Sequence, residues 1–75
     1  MSRSAVLLAA LTDEPASTSD LYERVGYRTL VALGLVPYPA FRAELAKLAA
    51  EGLADAETGD DGSTMWRLAT PHAAE

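Results

Sequence analysis

Few side chains in this sequence can do covalent chemistry. The single histidine, His72, sits in the tail "TPHAAE", and cysteine is absent. The missing thiols remove disulfide frameworks, thiolate metal sites and cysteine nucleophiles together. A serine–histidine–carboxylate triad would have to rest on the terminal tail, which argues against hydrolysis. Carboxylates crowd at Asp55, Glu57, Asp60 and Asp61. Counted from Asp55, the fifth position is Gly59 and the twelfth is Trp66, so the calcium-loop pattern fails. A solvated hairpin explains those acids better. No glycine-rich phosphate loop is present, nor paired carboxylates in a cleft-like setting. The expectation is a protein without catalytic residues, metal or cofactor, and not an enzyme.

The residues suited to non-covalent work are Arg24, Arg28, Arg42 and Lys47, interleaved with Tyr22, Tyr27 and Tyr38. Arginine forks and tyrosine hydroxyls both fit phosphate oxygens. The same tyrosines can instead plug a small core with their hydroxyls at the surface, while the arginines solvate it. Asparagine and glutamine are absent, so no side chain can make the bidentate amide contact that reads adenine. Net charge is −5, which weighs against a dedicated nucleic-acid binder. The distribution softens that objection: Asp55, Glu57, Asp60, Asp61 and Glu75 crowd toward the end, behind the four cations.

Something must position these groups, and 75 residues allow one small domain. The whole of 1–75 is read as that domain, with 1–2 and 71–75 as loose tails. The apolar run over residues 5–11 is far shorter than the ~20 residues that span a bilayer. It is also a poor signal-peptide core, so a cytoplasmic protein with no membrane contact is expected. Leu7, Leu8 and Leu11 give that run helical spacing, and Asp13-Glu14-Pro15 stops it. Uncharged nearly all round, this helix is expected to meet its copy in a homodimer through Val6, Leu7 and Ala10.

A second helix starts at Thr18 as N-cap, buries Leu21 and Val25, and closes at Gly26. Residues 27–37 read either as a short extra helix ending at Gly34 or as the continuation of the second helix to Leu33. Pro39 then opens the clearest helix, with an inner stripe of Phe41, Leu45, Leu48 and Ala49 and a cap at Gly52. Arg42, Glu44, Lys47 and Glu51 face outward, with Glu44 and Lys47 as a surface pair. Beyond Gly52 the period changes to that of two strands around Gly59-Asp60-Asp61-Gly62. Leu53, Met65 or Trp66, and Leu68 are expected to point inward.

That order resembles the winged helix-turn-helix domains of small bacterial transcription regulators. The resemblance covers residues 18–69 and is most specific where Leu45, Leu48, Gly52 and Leu53 run into a glycine-tipped hairpin with Trp66 on the return strand. "TSDLYERVG" is similar to the support helix of that family. The fold implied is α+β, mostly α: three to four helices followed by a two-stranded β-hairpin wing. The implied partner is double-stranded DNA, with residues 39–51 as recognition helix presenting Tyr38, Arg42, Ala43, Ala46 and Lys47 to the major groove. Glu44 would be a cytosine reader on the same helix. An acidic module that binds another protein is the alternative, since winged helices serve that purpose too. Two departures stand out. The wing tip carries Asp60-Asp61 where a DNA-contacting wing offers cations, and the 27–37 connection is long for the turn between two such helices.

Overall fold

The computed structural model describes residues 2–69. Within them the chain forms α1 (Arg3–Ala10), β1 (Ala16–Ser17), α2 (Thr18–Val25), α3 (Tyr27–Leu33), α4 (Tyr38–Ala50), β2 (Ala54–Thr58) and β3 (Thr64–Leu68). The fold is α+β and mostly helical, in an order compatible with a winged helix. The expected tail at 71–75, with His72, lies outside the described residues, as does Met1. No described helix is long and apolar enough to cross a membrane.

The wing is not a lone hairpin. β1 adds to it, giving an antiparallel three-stranded sheet in the order β1-β3-β2. Ala16 lies opposite Trp66 and Ser17 opposite Met65. Two residues are too few for an alternating pattern, which is why sequence reading passes over this strand. It ties the start of α2 to the hairpin.

The ambiguous segment is a separate helix. Gly26 sits at φ 90°, a conformation only glycine adopts freely, so α2 cannot run on to Leu33. Gly34 ends α3 in the left-handed region. The α2 N-cap is Ser17 rather than Thr18: its hydroxyl accepts the Asp20 N–H at 3.0 Å. Thr18 is thereby released to turn inward. Its buried hydroxyl accepts the Trp66 Nε1–H at 2.8 Å. Tryptophan keeps its polar edge satisfied in the core, and the two ends of the sheet region are pinned together.

The core gathers Leu7, Leu11, Leu21, Leu30, Leu35, Phe41, Leu45 and Leu48, closed below by Ala16, Ala54 and Trp66. Three expectations are corrected here. Leu7, expected at a two-fold contact, is 1% exposed inside this chain's own core. The spacing of Leu7 and Leu11 turns both into the core, where α1 packs on α2 and α4, leaving Val6 and Ala10 half-buried and Ala5 and Ala9 open. Leu53 does not point inward: it is 43% exposed, on the face opposite buried Ala54 and Trp66, whereas Leu68 shares their face at the end of β3 and is still 36% exposed. Glu44 does not join Lys47 but meets Arg3 at 3.7 Å, because Arg3 reaches over to donate to the Leu33 carbonyl beside it.

Candidate nucleic-acid interface

The outer face of α4 follows from its inner one. With Phe41, Leu45 and Leu48 buried, helical spacing turns Pro39, Arg42, Ala43, Ala46, Lys47 and Ala50 outward, and all six are exposed. Two cations separated by five positions stand on a surface otherwise made of small side chains. Another molecule can therefore approach the helix backbone closely.

The N-terminal end of α4 is fixed by aromatic packing. Tyr22 on α2 meets Phe41 edge-on, ring centres 5.2 Å apart, and Tyr38 at 5.4 Å. The Tyr22 hydroxyl donates to the Val36 carbonyl, which holds the turn into α4 against α2. Tyr22 is therefore a packing residue, while Tyr38 keeps its ring edge and hydroxyl in the open.

Between the starts of α2 and α4 and the hairpin lies a cleft of about 250 Å3. Ser17, Thr18 and Ser19 line it from α2, Tyr38 and Arg42 from α4, and Gly62, Ser63 and Thr64 from the hairpin. The Ser19 and Tyr38 hydroxyls are 3.1 Å apart, and Arg42 donates to the Thr64 hydroxyl at 3.4 Å. The backbone N–H groups of Thr18 and Ser19 belong to the first turn of α2 and have no acceptor within the helix. Among the described residues, no carboxylate lines the cleft. A guanidinium, several hydroxyls and the positive end of a helix face one space, which suits an oxyanion.

A carboxylate stands close by. Asp61 accepts the Ser63 hydroxyl at 2.7 Å and the Ser63 N–H at 3.0 Å, which together hold its pKa below the ordinary 3.8. The hairpin tip is thus firmly anionic just outside the cleft.

The four expected cations are not brought together. Arg42 borders the cleft, and Lys47 lies further along the same face of α4. Arg24, at the opposite end of α2, donates to the Ala10 carbonyl at 2.8 Å and so caps α1. Arg28 is exposed on α3 with no side-chain partner among the described residues. Ala43 and Ala46 stand where expected, on the open side of α4. Glu44 has only 12% of its side chain exposed beside Arg3, so it leaves the set of base readers. Sequence reading missed the hydroxyl wall of the cleft. Its trace is the run Ser17-Thr18-Ser19, facing Ser63-Thr64 from the far end of the chain.

Comparison with protein-family models, curated proteins and solved structures found no match.

Proposed function

We propose that this domain binds double-stranded DNA as a transcription regulator, with the outer face of α4 entering the major groove. The observation that carries this reading is the carboxylate-free cleft opening beside that face. A phosphate seated between Arg42, Tyr38 and the start of α2 would fix the helix in register, leaving Lys47, Ala43 and Ala46 for the bases. The alanines suit thymine methyl groups, and Arg42 or Lys47 can read guanine where either reaches a base edge. With Glu44 held by Arg3, cytosine has no acidic reader. Two copies docking through the outer side of α1, near Val6 and Ala10, would match a two-fold binding site; sedimentation at tens of micromolar measures that part separately.

The deciding experiment is fluorescence anisotropy with duplexes enriched from a random library, repeated across salt. A saturable complex whose log affinity falls against log salt with a slope of roughly −2 to −4 is expected from so small a cationic face. Absence of any enriched sequence at low salt, with no duplex binding, would overturn the reading.

A further inference from the structure

We propose that the free edge of β2 is a docking site for an extended basic segment of another protein, which adds to the sheet as a fourth strand. Among the described residues, the sheet order leaves one side of β2 unpaired along Ala54–Thr58. The hydrogen-bond pattern fixes which groups face outward. Ala69 donates to the Leu53 carbonyl and Gly59 to the Ser63 carbonyl, so odd-numbered positions of β2 bond to β3. Leu68 instead donates to Thr12 on the far side of β3, and it lies opposite Ala54. By that alternation the N–H and C=O groups of Ala54, Ala56 and Thr58 point out of the free edge. This is a ready template for strand addition.

Side chains choose the occupant. Leu53, Asp55 and Glu57 share the outer face of the hairpin, and Arg67 lies between the carboxylates at 3.9 and 3.6 Å. Residues 51–63 carry Glu51, Asp55, Glu57, Asp60 and Asp61 without a single cation. A second copy is a poor fit. Joining two β2 edges antiparallel pairs even positions with even ones. Each register overlapping three residues or more therefore sets Asp55 or Glu57 against Asp55 or Glu57 of the other copy, which repels. An incoming antiparallel strand is accepted when cations oppose Glu57 and Asp55 and an apolar residue opposes exposed Leu53. The pattern is cation–x–cation–x–apolar. The edge lies on the side of the hairpin away from the cleft, which β1 and β3 border, so both surfaces can be occupied at once.

The test is an amide NMR titration of the full chain with an acetylated, amidated pentapeptide, arginine–valine–arginine–valine–leucine. Saturable shifts centred on the amides of Ala54, Ala56 and Thr58 are expected. Methylating both valine nitrogens of the peptide removes its donors toward β2 and should weaken binding by about tenfold or more. The double variant D55N/E57Q should weaken it about fivefold, helped by the repulsion of the freed Arg67. Equal binding of the methylated peptide, or shifts centred on α4, would overturn the proposal. So would edge shifts that appear on concentrating the protein alone, which would make a second copy the occupant. A duplex titrated into the peptide complex should leave these shifts in place. DNA that displaces the peptide overturns strand docking, whereas failure of DNA to bind at all counts only against the α4 reading.

Discussion

The outer face of α4 and the free edge of β2 lie on one small core and have opposite chemistry. The first offers Arg42 and Lys47 among alanines, beside a cleft that no carboxylate of the described residues lines. The second offers a row of open backbone groups under Asp55 and Glu57. Net charge describes neither. The value of −5 is a sum over surfaces that a ligand meets one at a time. Internal pairing sharpens the separation: Arg3 and Arg67 are spent on Glu44, Asp55 and Glu57. The cations without a carboxylate partner among the described residues are Arg24, Arg28, Arg42 and Lys47.

One side chain joins the two regions, and removing it should have the largest effect. Trp66 lies opposite Ala56 of β2 on one side and Ala16 of β1 on the other, and its indole N–H ends on Thr18 in the cleft wall. Trp66→Ala should destabilise the fold by about 3–5 kcal/mol, enough to unfold much of so small a domain and abolish both surfaces together. Thr18→Val is the finer cut. It leaves the buried indole N–H without an acceptor and should cost about 1–3 kcal/mol in chemical denaturation while the chain stays folded. Equal stability of Thr18→Val and the parent would mean that the bond does not hold the regions together.

The next effect isolates the α4 side. Arg42→Ala should weaken duplex binding by about 1–3 kcal/mol and leave the peptide titration at β2 unchanged. Two outcomes divide the role of the guanidinium. Loss of preference at one G·C pair marks a base reader, and equal loss over all sequences marks a phosphate contact in the cleft. The cleft geometry favours the second. Loss of peptide binding in this variant would break the comparison, because the surfaces would then be coupled.

The same contrast decides what could be read in the sequence. Helices and hairpin were legible because their signals are local: the leucine spacing of α4, glycines after α2, α3 and α4, and the glycine-flanked tip. The long connection between the second helix and α4 needed only the backbone of Gly26 to settle it. What escaped depends on distant pairing. β1 is two residues long and exists because Trp66 and Met65 lie opposite it. Leu53 was misplaced because a short hairpin with apolar residues at both parities does not reveal its inward face. Ser17 and Thr18 are both good caps, and only the indole of Trp66 determines which turns inward. The open positions of α4, Arg42, Ala43, Ala46 and Lys47, were therefore legible, whereas Glu44 was not, because its partner Arg3 comes from α1. Nor was the cleft beside that helix, assembled from three separated segments.

The smallest expected effect sits where the two regions approach, at the hairpin tip. Changing Asp60 and Asp61 to lysine should tighten duplex binding and steepen its salt dependence if the tip lies near the backbone; unchanged affinity at low salt would place it out of reach. Asp61 carries a second, subtler signature. Its carboxylate is stabilised by the Ser63 hydroxyl first and the Ser63 N–H second, so its folded pKa lies below the ordinary 3.8. For a depressed carboxylate the contribution to stability is complete above the unfolded value and disappears as pH falls through the folded one. The tip should thus hold its shape at neutral pH and loosen only in acid below that range. Ser63→Ala removes the larger of the two bonds and should move the Asp61 titration, followed by carboxyl carbon shifts, back up toward 3.8. An unmoved titration would mean that the hydroxyl does not hold Asp61. The lining position of Ser63 would then turn its donor into the cleft, adding it to the phosphate-seeking side of the comparison.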